Sequence, residues 1–271
     1  MNALRLAFGL LTAVPVGRLP QVDRRSAARA VLLAPVTTVP LLMVLVGAHV
    51  VASAGAPPLV LAVVVVTAGA LLSRAMHLDG LADTADGLSA GYDAASSLRA
   101  MKASDTGPSG VAAVVLALLL QVASLAALLP TGRGTALAVA AWLASRHSVA
   151  WACRRGVPAA QDTGLGALVA DSVGRAALGL AAAGVALCSL VAGLLASMGA
   201  NSPAAQHDSR PGTTVALVAV VVVLVAGLAA ALLLVRRCRH RLGGITGDVL
   251  GAGLEVALTT GLVTAALLVS V

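Results

Sequence analysis

The chain alternates long apolar runs with short stretches that are polar, basic or rich in glycine. Seven of the apolar runs approach or exceed the roughly 20 residues that a helix needs to cross a bilayer. The seven predicted spans are 31–53, 58–76, 108–129, 134–153, 173–199, 213–235 and 249–270. The pattern predicts an all-α, polytopic integral membrane helix bundle of about seven transmembrane helices (six to eight), formed as a single membrane domain over 1–271.

The first 30 residues do not fit a span. Their apolar run is short, is interrupted by Pro15, gives way to arginines and has no convincing small-residue cleavage site. We expect 1–30 to be an N-terminal interfacial or re-entrant amphipathic segment. The stretch 200–212, ANSPAAQHDSRPG, is predicted to be a polar loop.

Composition agrees with a membrane protein, since 59% of the residues are hydrophobic and only 11% are charged. The net charge of +7 does not indicate nucleic-acid binding, because the basic residues fall in the short loops between spans. We therefore expect membrane lipid, and no nucleic acid, around the protein. The three cysteines lie far apart without metal-ligand spacing, which is typical of packing residues. Oligomeric state is not predicted.

The basic residues also predict orientation. When the seven spans alternate across the membrane, all of the 18 lysines and arginines except Arg133 and Arg210 fall on one side. Loops rich in lysine and arginine stay in the cytoplasm. The pattern predicts a multi-pass protein of the cell membrane with the N-terminus and the active site on the cytoplasmic face.

Five of the eleven acidic residues lie between Arg74 and Gly110, and we interpret 74–107 as a cytoplasmic-face acidic catalytic segment. In a helix, Asp79, Asp83 and Asp86 share an arc of about 60°. Three like charges on one stripe need a cation, and oxygen ligands suit Mg²⁺, which keeps waters and substrate phosphates as further ligands. The alternative is a solvated acidic loop without chemistry.

Two neighbours of this stripe are interpreted separately. His77 would point away from the aspartates, as a structural or substrate-side hydrogen-bonding group. Asp93 would extend the stripe only if the helix continued beyond Gly91.

Basic and glycine-rich stretches on the same predicted side suit phosphate contacts. Arg146 lies inside an apolar run, where it needs a phosphate or aspartate partner unless it snorkels to the surface. Arg154 and Arg155 precede the loop 162–166, in which two glycines can bring backbone amides to a phosphate.

The loop before the last span has similar potential. Gly243 and Gly244 would let the backbone approach a ligand, Asp248 offers a carboxylate, and Thr246 is either a ligand contact or a helix N-cap. Glu255, two turns further on, would line the same cavity or pair with an arginine.

These motifs resemble those of one family. HLDGLADTADG, residues 77–87, is similar to the signature of the cobalamin synthase family, the adenosylcobinamide-GDP ribazoletransferases. The Ser145-Arg146 pair, the GLG of residues 164–166 and LGGxTGDxLGAxxE over 242–255 match the family too, so the resemblance covers most of the chain. One departure follows Met101, where the family's acid is displaced to Asp105.

The resemblance implies a Mg²⁺-dependent membrane transferase. It would join adenosylcobinamide-GDP to α-ribazole or its 5′-phosphate and release adenosylcobalamin or its 5′-phosphate with GMP, a late step of cobalamin biosynthesis. Asp79, Asp83 and Asp86 would be the catalytic and metal-binding residues. The substrate-binding residues would be His77, Lys102, Arg146, Arg154, Arg155, Gly243, Gly244, Thr246 and Asp248.

Two other classes of protein stay open. Residues 83–87 also match the DxxDG half of the CDP-alcohol phosphotransferase motif of phospholipid synthesis, although its GxxxDxxxD half is not legible. A cation-coupled transporter would use the aspartates as an ion site, but it predicts acids distributed over several mid-membrane helices.

Overall fold

The computed structural model describes residues 2–18, 22–91, 93–199 and 213–270, and within these ranges the chain is helical, without strands. The helices are α1 (Asn2–Leu11), α2 (Arg24–Leu32), α3 (Val39–Ser53), α4 (Pro58–Leu72), α5 (Met76–Ser89), α6 (Ala94–Ala100), α7 (Pro108–Leu128), α8 (Gly132–Ala152), α9 (Gly164–Val169), α10 (Arg175–Gly199), α11 (Thr213–Leu242) and α12 (Gly247–Val269). A 3₁₀ turn, Ala34–Thr38, leads into α3.

The predicted all-α polytopic class is confirmed. In the described ranges, five helical segments are long and apolar enough to cross a membrane: Ala34–Ser53, Pro108–Leu128, Arg175–Met198, Thr213–Leu242 and Gly247–Val269. A sixth is reached if α4 and α5, which meet at a bend of 85°, count as one span. The sequence predicted seven spans, whereas length and apolar character in the described ranges support five or six. The predicted loop 200–212 lies outside the described residues.

The fourth predicted span forms as α8, but its environment is protein rather than lipid. Almost every residue of α8 is buried, including Arg146 and His147. This helix packs chiefly against α12, α11 and α10, and α12 in turn packs against α5 and α7. The two helices α8 and α12 therefore form the centre of the bundle, and α3, α4, α7 and α10 present exposed valines and leucines at its periphery.

Contacts between distant parts of the chain mark the two ends of the bundle. At the end called the far end here, the His49 ring is 2.8 Å from the Leu129 carbonyl, and Arg133 donates to the Leu268 carbonyl over 3.2 Å. At the opposite end, called the site end, the segments 73–91, 93–107, 153–174 and 243–246 meet. The amide of Ile245 donates there to the Pro158 carbonyl over 3.0 Å. Motifs that are distant in sequence therefore gather at one end of the bundle.

The N-terminal segment packs against this site end as two helices. Leu6 and Ala7 of α1 form a small core with Ala30 of α2. An Asp23–Ser26 capping box begins α2, and Arg24 donates to the carbonyl of Ala170. The described part of 1–30 is therefore built into the protein as one wall of the site end.

Candidate active site

An unusual turn between α4 and α5 sets the direction in which the acidic helix α5 crosses the site end. Arg74 and Ala75 have φ values of 54° and 56°, in the left-handed region. For a residue other than glycine, the left-handed conformation costs about 1–2 kcal/mol relative to the right-handed one. These two residues produce the 85° bend after α4, so that α5 leaves the direction of the preceding helix. Nothing in their side chains signals this turn.

The backbones of α5 and α12 touch because glycines stand at the contact. A Cβ on Gly80 would lie 2.7 Å from the carbonyl oxygen of Asp248, and one on Gly251 would lie 3.3 Å from the Cα of His77. Small residues permit this close helix approach. The contact brings the acidic motif of α5 beside the start of α12.

Four carboxylates gather at this contact. Asp79 is exposed and faces a cavity, whereas Asp83 is partly buried. Asp83 lies within electrostatic range of Asp79, Asp86 and Asp248. Lys102 is exposed and lies within electrostatic range of Asp248. The concentration of negative charge that the spacing predicted is therefore present, and Asp248 adds to it from another helix.

Asp86 differs from the other two aspartates of the stripe. Its two carboxylate oxygens accept hydrogen bonds from the backbone amides of Gly107 at 2.7 Å and Gly110 at 2.8 Å. Free amides at a helix N-terminus are stabilised by such acceptors. Asp86 therefore anchors the start of α7 to α5.

Asp93 does not extend the stripe. Helix α5 ends at Ser89, Gly91 has a φ of +65°, and the Asp93 side chain instead caps α6. Hydrogen bonds from the backbone amide and hydroxyl of Ser96 hold the pKa of Asp93 below its ordinary value. Asp105 is exposed in the connection to α7.

The four carboxylates at the contact offer only oxygen ligands. Among the residues that the structure describes, no three His, Cys, Asp or Glu side chains converge closely enough to hold a metal ion by themselves. Mg²⁺ usually needs only one or two carboxylates, with waters and substrate phosphates completing its octahedron. Asp79 and Asp83 fit that requirement, and the predicted set of Asp79, Asp83 and Asp86 stays a prediction.

Arg146 has found a partner inside the bundle and does not snorkel. Its guanidinium lies 3.1 Å and 3.2 Å from the two ring nitrogens of His77, and its Nε has no hydrogen-bond partner. Glu255 is buried within electrostatic range of Arg146. The amide of Gln121 donates to Glu255 over 2.8 Å. Glu255 therefore provides the counter-charge of the buried Arg146 guanidinium. Gln121 lies in none of the motifs, and its role could not be predicted from the sequence.

The arginines after α8 form the basic part of the site end. Arg154 donates to the Trp151 carbonyl over 2.8 Å, and its partial burial together with the charge of Arg239 lowers its pKa. Arg155 is exposed, and its guanidinium carbon would lie 3.9 Å from a Cβ on Gly174. Sequence analysis did not assign a role to Arg239, whose proximity to Arg154 appears only in the folded chain.

The predicted ligand-contact residues of the loop before α12 have structural roles in the fold. Gly243 has a φ of +84°, and Gly244 packs so closely on the segment 158–160 that a Cβ has no room. The hydroxyl of Thr246 accepts a hydrogen bond from the amide of Val249 over 3.2 Å. Thr246 is therefore the N-cap of α12, which was one of the two alternatives for it, and Asp248 is the charged residue of this loop that lines the cavity.

A cavity of about 270 Å³ lies at the site end between α1, α2 and the bundle. Its polar wall contains His77, Asp79 and Asp248, and aliphatic side chains from α1, α2, α8, α9 and α12 form the rest. A concave, largely apolar cavity with a few converging polar groups is the usual form of a small-molecule site. The cavity therefore joins three of the predicted site residues in one place.

The fold and this site together define a class: a polytopic, all-α membrane protein with a largely apolar cavity, bordered by two aspartates, at one end of the bundle. The family model described as cobalamin-5-phosphate synthase matches residues 3–266. The chain belongs to the cobalamin-5-phosphate synthase family.

Similar proteins bear one activity in their names. An adenosylcobinamide-GDP ribazoletransferase of Nocardioides sp. is 40% identical over 260 residues, covering 95% of this chain and 95% of the relative. Enzymes of the same name from Frankia casuarinae and Pseudomonas aeruginosa are 38% and 34% identical over 98% of this chain, and 95% and 98% of those relatives are covered. No solved structure matches the chain.

Proposed function

We propose that this protein joins adenosylcobinamide-GDP to α-ribazole or its 5′-phosphate, giving adenosylcobalamin or its 5′-phosphate and GMP. The observation that carries the proposal is the contact of α5 with α12, which sets Asp79 and Asp248 together on the wall of one cavity. The relatives named for this activity match nearly the whole chain.

The transfer is a phosphoryl substitution. A ribose hydroxyl oxygen of the ribazole forms a bond with the phosphorus on the corrinoid side of the diphosphate, and the bond from that phosphorus to the bridging oxygen breaks. GMP leaves with the bridging oxygen. A carboxylate on the cavity wall, Asp79 or Asp248, accepts the hydroxyl proton. Because phosphoryl transfer depends mainly on positioning and charge neutralisation, no nucleophilic side chain is required.

Mg²⁺ is the proposed cofactor, and its ligands would be drawn from Asp79, Asp83 and Asp86. When bound, Mg²⁺ would neutralise the negative charge that develops on the leaving GMP. Asp83 is repelled by the carboxylates around it, so a cation there relieves unfavourable charge. Asp86 keeps lone pairs on both oxygens beside its two amide contacts, but its capping role makes it the least free of the three.

The basic residues of the site end would bind the GDP portion. Arg154 and Arg239 lie close enough to interact unfavourably with each other, which is relieved when a diphosphate binds between or beside them. Arg155 and Lys102 are exposed at the same end. We place this end on the cytoplasmic face of the cell membrane, since nearly all lysines and arginines fall on its side of the predicted topology.

The proposal is tested with purified protein in liposomes. Adenosylcobinamide-GDP, α-ribazole and Mg²⁺ are supplied together, and both GMP and the corrinoid product are quantified. We expect GMP only when ribazole is present, equal amounts of the two products, and loss of both with a chelator. GMP release without ribazole would indicate a hydrolase instead. Turnover of CDP-diacylglycerol with no turnover of the corrinoid would contradict the proposal and favour a lipid phosphotransferase.

A further inference from the structure

We infer that the apolar part of the cavity is the subsite for the bicyclic benzimidazole base of the ribazole substrate, with α1 and α2 as its outer wall. The inference rests on the proposed function and assigns one of its two substrates to one place. It also gives the N-terminal segment a role in binding that neither its sequence nor the family match indicates.

The chemistry of the cavity selects between the two substrates. Its apolar walls include Leu11 of α1, Val31 of α2 and Leu165 of α9. No lysine or arginine is among the described residues that line it, and two aspartates are. Such a cavity disfavours a diphosphate, which is repelled by carboxylates, and favours an uncharged aromatic ring. The GDP group therefore belongs outside it.

Size points to the same substrate. The volume of about 270 Å³ lies just below the roughly 300–1,000 Å³ of sites that enclose a drug-sized ligand. A single nucleoside with a two-ring base is of this scale. A corrin macrocycle carrying an adenosyl group, side-chain amides and GDP is several times larger and must bind at the mouth of the cavity or beyond it.

The distribution of polar groups then orients the nucleoside. With the base among the aliphatic side chains, the ribose hydroxyls face Asp79 and Asp248 at the polar wall. Leu165 covers this region, because its Cβ would lie 3.5 Å from a Cβ on Gly247, next to Asp248. The reacting hydroxyl is thus presented to the carboxylates by burial of the base.

The first test narrows the cavity. Ala30 is fully buried in α2 and lines the cavity, whereas Ala28 of the same helix does not. Ala30→Leu is expected to raise the KM for α-ribazole at least tenfold and leave the KM for adenosylcobinamide-GDP within twofold. The matched Ala28→Leu variant is expected to leave both values unchanged. Equal changes in both KM values for Ala30→Leu would overturn the inference.

The second test enlarges the cavity, so that a gain cannot be mistaken for misfolding. Leu165→Ala opens the wall beside Gly247, and Leu168→Ala removes the same atoms from α9 outside the cavity. Leu165→Ala is expected to shift the preference between α-ribazole and its analogue with one more fused ring at least tenfold toward the analogue. An unchanged preference, or an equal shift in Leu168→Ala, would overturn the inference.

A binding measurement separates this inference from the proposed reaction. Equilibrium dialysis of radiolabelled α-ribazole against the detergent-solubilised protein needs no turnover. Binding by the wild type that is weakened at least tenfold in Ala30→Leu supports the subsite even if GMP is never released. Equal binding by both proteins, or none by the wild type, contradicts the subsite even if the transferase reaction is observed.

Discussion

Asp83 and Asp86 lie three residues apart on one helix, yet their surroundings give them different structural roles. Sequence spacing places Asp79, Asp83 and Asp86 on one stripe and treats them as equivalent. Only the folded chain shows that Asp86 caps α7, because its partners Gly107 and Gly110 lie at the start of α7, beyond the intervening helix α6. Capping across two helices has no local signal in the sequence.

This difference predicts opposite effects on stability. Asp86→Ala leaves two helix-terminal amides without an acceptor and is expected to lower the free energy of unfolding by about 1–2 kcal/mol. Asp83→Ala removes a repelled carboxylate and is expected to leave stability unchanged or higher. Denaturant titrations of both variants in the same detergent check this. A larger loss for Asp83→Ala than for Asp86→Ala would contradict the assignment.

Arg146 shows where residue-level reasoning succeeds and where it stops. A charge two turns inside an apolar helix needs a partner, and the sequence predicts that much. The partner is His77, with Glu255 nearby, and both residues lie far from Arg146 in sequence. The choice between a phosphate, an aspartate and these residues depends on helix packing and was not readable beforehand.

Removing one charge of the buried Arg146–Glu255 pair is expected to lower the free energy of unfolding more than removing both charges. Glu255→Leu leaves Arg146 without a counter-charge and should destabilise the protein by about 3–5 kcal/mol, whereas adding Arg146→Met should recover most of the loss. A double-mutant cycle of unfolding free energies measures this coupling. Strictly additive losses would mean that the two side chains act independently.

At the scale of elements, most helices follow from the apolar pattern, while the turn that aims α5 does not. The predicted spans at 108–129, 213–235 and 249–270 correspond to α7, α11 and α12. The 85° bend rests on left-handed Arg74 and Ala75, residue types that seldom adopt this conformation. The folding back of α1 and α2 onto the site end depends on tertiary contacts and was likewise not predicted.

The contact between α5 and α12 predicts the effect of one methyl group at two glycines. Gly80→Ala places a Cβ 2.7 Å from the Asp248 carbonyl and is expected to destabilise the protein by about 1–3 kcal/mol. Gly253 is also helical but has no atom within 4 Å of such a Cβ, so Gly253→Ala should be neutral or stabilising by up to about 1 kcal/mol.

Thermal unfolding followed by circular dichroism compares these two variants directly. Transferase activity adds a second readout, since Gly80→Ala should also displace Asp79 from Asp248. If Gly80→Ala is as stable and as active as Gly253→Ala, the close helix contact is not part of the native structure.

For the whole molecule, the segregation of basic residues predicts which end faces the cytoplasm. Ala54 is exposed in the turn between α3 and α4 at the far end, and Ala103 is exposed in the connection to α7 at the site end. Because Cys188 is exposed whereas Cys153 and Cys238 are buried, the background for labelling is Cys188→Ser.

A membrane-impermeant maleimide should then label Ala54→Cys from outside intact cells and label Ala103→Cys only after the membrane is permeabilised. Both variants should be labelled in detergent, which controls for reactivity. Labelling of Ala103→Cys alone from the outside would reverse the proposed orientation and move the active site out of the cytoplasm.

The most direct test of the whole account is GMP release by Asp83→Asn and Asp105→Asn beside the wild type, with adenosylcobinamide-GDP, α-ribazole and Mg²⁺ in liposomes. Asp83 lies within the carboxylate cluster, whereas Asp105 is exposed outside it. We expect Asp83→Asn to lose at least 100-fold in kcat/KM, which corresponds to about 2.7 kcal/mol of transition-state stabilisation. Asp105→Asn should stay within threefold of the wild type. Full activity in Asp83→Asn would contradict catalysis at the contact of α5 and α12.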